Sequence, residues 1–261
     1  MDSDETVFDG MKRKHLLAFT RAIFEVWPIL GSISAQFKVA DNSNDLISPL
    51  WSVNRYLGLL DTFERLERTY SDIKRLPNLS DLRAYVDAET IYSTNTLREW
   101  MLKHPSPVLT KVLRWSNRAD ILFSESCKGL APFTGVQEAL KLAAADACIA
   151  VISSAAKEDL ERVWTFGGLM PLVDIMMSHE NGSKAKQLET AMACCGENVQ
   201  VMLLGGLEND GVAAHEAGAF FYLIRPGGQE QSWARFKDEI LPVFLAGNYD
   251  MEADAIRHNE I

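Results

Sequence analysis

Short apolar segments that alternate with helical patterns constrain the fold of this chain more than any other feature. Mostly apolar runs of about four to eight residues are typical of strands that are buried on both faces of a sheet. The chain contains five of them: Ala22–Trp27, Ala147–Ser153, Leu172–Met177, Val199–Leu204 and Ala219–Ile224. We therefore predict five buried strands.

Stretches with apolar residues at helical spacing lie between the last four runs. They are Gly135–Ala145, Lys157–Phe166, Ser183–Cys195 and Asp210–Ala217. Strands that alternate with helices predict an α/β fold, with a Rossmann-like parallel sheet flanked by helices. The stretch Gln229–Phe244 adds one amphipathic helix near the end of the chain.

The gap between the first and second apolar runs is too long for a single crossover. It contains several helical patterns: Pro49–Leu60, Asp61–Leu76, Ser80–Asp87, Thr96–Lys103 and Val108–Arg118. We expect an all-helical cap over residues 36–127, inserted after the first strand of a core at 18–35 and 128–246. Residues 1–17 and 247–261 are then terminal segments, and polar or glycine-containing hinges are expected at Asp41–Asp45 and Lys128–Pro132.

Charge and cysteine usage limit the classes of partner. The net charge of −10 makes nucleic acid and anionic membranes poor partners, because like charges repel. No apolar run reaches the ~18 residues of a membrane span. The four cysteines form no C-x-x-C pair, and the first residues are acidic, so we expect a cytoplasmic protein with reduced thiols.

Candidate functional residues follow the predicted strands, because ligands of open parallel sheets bind at the carboxyl ends of the strands. Ser153 ends the second run, Lys184 opens a predicted helix, and Gly205–Asp210 follows the fourth run. With the helical insert, these motifs resemble the haloacid dehalogenase-like (HAD) hydrolases, in particular the phosphoglycolate-phosphatase-like branch with a helical cap. The resemblance extends from about Arg21 to Phe244.

The resemblance implies roles for these positions. Members of the family hydrolyse small phosphate esters with Mg²⁺, through an aspartyl-phosphate. Ser153 would then bind a phosphoryl oxygen and Lys184 would neutralise charge. The family's first motif is a strand followed by Asp-x-Asp-Gly-Thr-Leu, and the stretch aligned with it here is Ala22–Leu30.

This alignment predicts a degenerate site. Glu25 occupies the nucleophile position, Trp27 the acid/base position, and Gly206 replaces a magnesium ligand, so that Asp210 alone remains of the last acidic pair. Glu25 is one methylene longer than aspartate, and an indole cannot protonate a leaving group as a carboxylic acid does. We expect a magnesium site at Glu25 and Asp210 to be weak or absent, since Mg²⁺ favours several oxygen ligands. No other cofactor is expected.

Two functions remain open. The first is an impaired or inactive phosphatase whose cleft binds a small phosphorylated or anionic ligand, or a protein partner. The second is an active hydrolase of small phosphate esters with a rearranged site around Glu25, Lys184 and Asp210. Simpler roles are an ion pair for Glu25, helix capping for Ser153 and core packing for Trp27.

A second stretch superficially resembles the first motif. Val7–Gly10 reads Val-Phe-Asp-Gly, but no apolar strand precedes it and a second aspartate is missing. We therefore predict no functional site there.

Overall fold

A computed structural model describes residues 1–10, 14–40, 54–70, 76–89, 92–196 and 199–251 of the 261-residue chain. The chain forms two compact units. One combines Met1–Asp9 with Gly129–Ile261, and the other is Gly10–Lys128. The expected hinge at Asp41–Asp45 lies outside the described residues, as do parts of the helices expected at Pro49–Leu60 and Asp61–Leu76.

The first unit contains four short parallel strands. They are β1 (Ala150–Ile152), β2 (Ile175–Met177), β3 (Met202–Gly205) and β4 (Phe220–Leu223). β1 pairs with β2, and β3 pairs with β4, both in parallel. The last four apolar runs are therefore strands, as predicted.

Met1 and Asp2 connect these two strand pairs. The backbone nitrogen of Met1 donates to the Ala150 carbonyl (2.6 Å), and the Ile152 N–H donates to the Met1 carbonyl (2.9 Å). On the other side, the Asp2 N–H donates to the Leu204 carbonyl (2.9 Å). This is the slanted bonding of parallel strands, so the spatial order is β2, β1, Met1–Asp2, β3, β4.

Helices flank the strands of this unit. They are Val136–Ala143, Lys157–Phe166, Lys184–Cys195, Glu208–Glu216, Gln229–Arg235 and Leu241–Leu245, with a π-helical segment at Phe236–Ile240. One buried core cluster joins strands and helices: Ile152, Met177, Leu188, Ala191, Leu203, Ala213 and Ala214. The α/β fold with parallel strands is confirmed.

Two buried tryptophans fix the segment that follows Asp2. The Trp164 indole N–H donates to the Ser3 hydroxyl (3.0 Å), and the Trp233 indole N–H donates to the Thr6 carbonyl (2.7 Å). Both indoles are fully buried. The start of the chain is therefore part of the core of this unit, whereas residues 1–17 were expected to be a terminal segment.

The second unit is helical throughout its described residues. After a π-helical turn at Lys14–Phe19 come helices Thr20–Val26, Ser34–Ala40, Arg55–Thr69, Ser80–Ala88, Thr94–Lys103 and Pro107–Ser126, with a 3₁₀ segment at Pro28–Ile33. No described helix of the chain is long and apolar enough to cross a bilayer.

The predicted first strand is wrong. Residues Ala22–Val26 belong to helix Thr20–Val26, which buries Thr20, Ala22, Ile23 and Val26. Positions 20, 23 and 26 lie on one helical face, and a six-residue apolar run cannot distinguish this from a buried strand. Residues 18–35 accordingly belong to the Gly10–Lys128 unit and not to the α/β core.

Gly205, at the end of β3, is a position where a side chain does not fit. A Cβ atom there would lie 2.6 Å from the Asp210 Cγ, because the Asp210 side chain packs directly against this backbone. We expect Gly205→Ala to lower the free energy of unfolding by about 3 kcal/mol through overpacking. Urea denaturation measures the loss. The control is Gly211→Ala in helix Glu208–Glu216, where the added Cβ makes an ordinary 3.5 Å contact with Phe221; a similar loss in both variants would contradict the packing argument.

Candidate active site

A buried lysine between two buried carboxylates forms the most distinctive polar cluster of the α/β unit. The Lys184 Nζ lies 2.9 Å from the Asp2 Oδ2 and 2.5 Å from the Asp210 Oδ1. Asp210 is fully buried, and Asp2 and Lys184 are 3% and 9% exposed. One ammonium group therefore serves two carboxylates in surroundings almost without solvent.

Three separate elements bring these groups together. Asp2 leaves the backbone between β1 and β3, at their carboxyl ends. Lys184 is the first residue of helix Lys184–Cys195, whose start is capped by the Ser183 hydroxyl. The Asp210 Oδ2 accepts from the Leu207 N–H (3.0 Å), which turns its other oxygen towards Lys184. The carboxyl edge of the sheet is where such folds bind ligands.

The charges of the cluster do not cancel. Burial raises the pKa of Asp2 from 3.8 to about 6, and the Lys184 ammonium offsets this only in part because Asp210 and Asp4 add negative charge. Burial disfavours the charged form of Lys184, but the Asp2 and Asp210 carboxylates outweigh it and raise the lysine pKa. Lys184 is thus a permanent cation. Burial lowers the pKa of the nearby Met1 amino group to about 6, so above that pH this group is neutral and, with both carboxylates ionised, the cluster carries one excess negative charge.

Ser153 is at the same edge of the sheet. It directly follows β1, and its N–H donates to the Gln187 Oε1 (2.9 Å). Gln187 lies three residues after Lys184 on the same helix, and its amide nitrogen donates back to the Ser153 carbonyl (3.1 Å). The Ser153 hydroxyl accepts from the Ala155 N–H (3.2 Å), a local turn bond similar to the capping role that the sequence left open.

Ser153, Lys184 and Asp210 lie at one edge of the α/β unit, whereas Glu25 and Trp27 belong to the helical unit. Glu25 lies on helix Thr20–Val26 of the other unit, where it accepts from Arg118 (2.5 Å) and Arg21 (3.2 Å). Hydrogen bonds from Arg118 lower the pKa of Glu25. Within the α/β unit the carboxylate partners of Lys184 are Asp2 and Asp210, and a role for Glu25 beside Lys184 and Asp210 stays a prediction.

Trp27 is a core residue of the helical unit. It is 4% exposed and packs against Phe63 in a T-shaped arrangement, with ring centroids 5.8 Å apart. The packing role is therefore the one that the structure supports.

Sequence reasoning missed the residues at the start of the chain. Asp2-Ser-Asp4-Glu5-Thr6 matches Asp-x-Asp-Gly-Thr except at Glu5, which replaces the glycine. In the family pattern this motif follows an apolar strand, and no apolar run precedes Asp2. The spacing of Asp2, Asp4 and Thr6 was the available signal. Asp4 lies two residues after Asp2 and forms an isolated β-bridge with Phe8.

The residues of the site do not fit a preorganised magnesium site. The part of the chain that the structure describes contains no group of three His, Cys, Asp or Glu side chains arranged to hold a metal ion. Gly206 supplies no side-chain donor, and a Cβ atom there would lie 3.3 Å from the carbonyl oxygens of Glu5 and Ile224. Lys184 already contacts both buried carboxylates.

No protein-family model matches this sequence, and no curated protein matches it either. Solved structures similar to the chain include a HAD-superfamily hydrolase of subfamily IA from Geobacter sulfurreducens, with 17% identity, 85% of this chain and 83% of that chain covered, and a TM-score of 0.45. A putative β-phosphoglucomutase from Thermotoga maritima has 17% identity, with 91% and 97% covered and a TM-score of 0.43. A putative HAD-hydrolase from Bacillus subtilis, bound to magnesium, has 10% identity, 84% of each chain covered and a TM-score of 0.47. These likenesses concern the fold alone.

The raised pKa of Asp2 predicts a pH dependence of stability. Between about pH 4 and 6 the folded protein retains a proton on Asp2 that the unfolded chain has released, so stability falls as the pH rises, by roughly 3 kcal/mol in total. Asp2→Asn removes this titration. We expect the variant to gain stability relative to wild type across this window, as measured by thermal unfolding at each pH. The control is Asp146→Asn at an exposed site, whose stability should follow that of wild type at every pH. If Asp2→Asn also follows wild type in parallel, the raised pKa of Asp2 is contradicted.

The backbone conformation of Glu5 leads to a second prediction about stability. Its φ of +57° is the left-handed conformation, which is unfavourable for a side chain with a Cβ and natural for glycine. We expect Glu5→Gly to raise the free energy of unfolding by about 1 kcal/mol. Glu5→Ala keeps the Cβ and serves as the control in the same denaturation experiment; an equal gain in alanine would mean that the side chain, and not the backbone, is responsible.

Proposed function

We propose that the chain is a HAD-type hydrolase of small phosphate esters in which Asp2 is the nucleophile, and that its activity is weak because the metal-binding carboxylate is missing at Gly206. The contact of the Lys184 Nζ with the carboxylates of Asp2 (2.9 Å) and Asp210 (2.5 Å) carries the proposal. A nucleophilic carboxylate next to a fixed cation is the arrangement that covalent phosphoryl transfer needs.

In the proposed reaction, Asp2 and Asp4 act in turn. An Asp2 carboxylate oxygen attacks phosphorus, and the bond from phosphorus to the ester oxygen breaks with its electron pair on that oxygen. Asp4, as the acid, gives the leaving oxygen a proton. Water then attacks the aspartyl-phosphate and transfers a proton to Asp4, and the phosphorus–Asp2 bond breaks to release phosphate.

The other side chains bind and orient the substrate. Lys184 offsets negative charge on the phosphoryl group in surroundings of low dielectric constant, where one cation has a large effect. Ser153 presents a hydroxyl at the same edge, and Gln187 fixes its backbone from both sides. Asp210 holds Lys184 in place and has no role in the bond-making steps.

The proposed site differs from the one predicted from the sequence in two residues. The nucleophile and the acid/base residue are Asp2 and Asp4, whereas Glu25 and Trp27 suggested that both were lost. The loss at Gly206 remains, so an impaired phosphatase is still the proposal, with a small phosphorylated ligand as its partner. The absence of nucleic-acid and membrane partners remains a prediction from the net charge of −10, and a cytoplasmic location remains a prediction from the cysteines and the acidic first residues.

Hydrolysis of p-nitrophenyl phosphate and a panel of sugar phosphates tests the proposal. We expect Asp2→Asn to lower kcat by at least about 10³-fold, since an amide cannot serve as the nucleophile. Phosphate release is measured over time, and circular dichroism checks that each variant is folded. Retained turnover in folded Asp2→Asn would refute the assignment.

Glu25→Gln is the matched control. It makes the same acid-to-amide change at the position that the sequence alone assigned to the nucleophile, and we expect less than about a twofold effect, as for most surface changes. If wild type shows no turnover and inorganic phosphate does not protect it against thermal unfolding, the proposal of a phosphate-ester site is wrong.

A further inference from the structure

Space and charge around Gly206 bear on whether the centre formed by Asp2, Lys184 and Asp210 can hold a divalent cation. Two buried carboxylates and one buried ammonium leave one excess negative charge. A third carboxylate at position 206 would raise the excess to two, which is costly in surroundings of low dielectric constant without a divalent cation. With glycine there, Lys184 is sufficient to keep Asp2 and Asp210 paired.

Packing closes the same space. The Glu5 and Ile224 carbonyl oxygens would each lie 3.3 Å from a Cβ at position 206, and the Thr6 hydroxyl 3.5 Å from it. Thr6 is fully buried, and its hydroxyl has no hydrogen-bond partner within the described residues. The turn that contains Glu5 therefore occupies the volume into which a metal-binding side chain at 206 would extend.

Glu5 stiffens this turn. Its φ of +57° is held by backbone bonds: the Glu5 N–H donates to the Phe8 carbonyl (2.9 Å), and the Val7 N–H donates to the Ser3 carbonyl (2.9 Å). A residue with a Cβ has few alternative conformations close to this one, whereas glycine would let the turn yield by the few tenths of an ångström that a side chain at 206 needs.

From these observations we propose that the centre works without a bound divalent cation, that Lys184 is the buried cation bridging Asp2 and Asp210, and that Glu5 and Gly206 together exclude the metal. The kinetic part of this inference rests on the proposed function, but the binding part does not. Mg²⁺ requires several oxygen ligands in near-octahedral geometry, and this site offers two carboxylates that an ammonium already bridges.

The direct test titrates the full chain with Mn²⁺ as a probe for Mg²⁺. Electron paramagnetic resonance measures the concentration of free Mn²⁺ at each step. We expect wild type to show no saturable site tighter than about 1 mM. Gly206→Asp should bind at least about tenfold more tightly, and Glu5→Gly/Gly206→Asp more tightly again, because the relaxed turn accommodates the new side chain. Val212→Asp adds the same charge at an exposed position of the next helix and should behave like wild type.

The outcomes separate the two proposals. A saturable site in wild type, abolished by Asp2→Asn, overturns metal independence and leaves Asp2 as the proposed nucleophile. Equal Mn²⁺ binding in Gly206→Asp and Val212→Asp overturns the assignment of metal exclusion to position 206. In the kinetic assay, removal of metal with EDTA should change wild-type turnover by less than about twofold, since no step needs the ion; a larger loss also overturns the inference.

Discussion

The shared ion pair of Lys184 is the interaction on which the α/β unit depends. It joins the start of the chain, the first residue of helix Lys184–Cys195 and the loop after β3, which are far apart in sequence. Replacing Lys184 would leave two unpaired carboxylates in the core, which typically costs several kcal/mol. The same contact places a carboxylate oxygen at the carboxyl edge of the sheet, so the interaction that stabilises the fold also positions the proposed nucleophile.

Close backbone packing makes this ion pair possible. Gly205 lets the Asp210 side chain lie directly on the backbone at the end of β3, and the Leu207 N–H then fixes one carboxylate oxygen. On the other side, the indoles of Trp164 and Trp233 anchor Ser3 and Thr6. Because both carboxylates are held by backbone geometry, Lys184 meets them without a further rearrangement of either chain segment.

The sequence predicted the parts of the fold that repeat a regular pattern. Four of the five apolar runs are parallel strands, and Ser153, Lys184 and Asp210 lie at their carboxyl edge as expected. The run Ala22–Trp27 failed because hydrophobicity alone does not distinguish a short strand from one face of a helix. The position of Asp2 beside the strands was not predictable from hydrophobicity, because it depends on backbone bonds that Met1 and Asp2 make to β1 and β3; only the spacing of Asp2, Asp4 and Thr6 pointed to it.

If Asp2 rather than Glu25 is the nucleophile, as we propose, the replacements at Glu5 and Gly206 take on a different meaning. A site without a nucleophile could only bind, whereas a site with Asp2, Asp4 and Lys184 lacks only a donor for a cation. Glycine at position 206 provides no carboxylate ligand for a cation. It also adds no negative charge that a cation would have to neutralise. The strained Glu5 turn then packs into the freed space. Glu5 and Gly206 are therefore compatible with each other and with the Asp2–Lys184 pair, which is the combination that the proposed slow, metal-independent hydrolase requires.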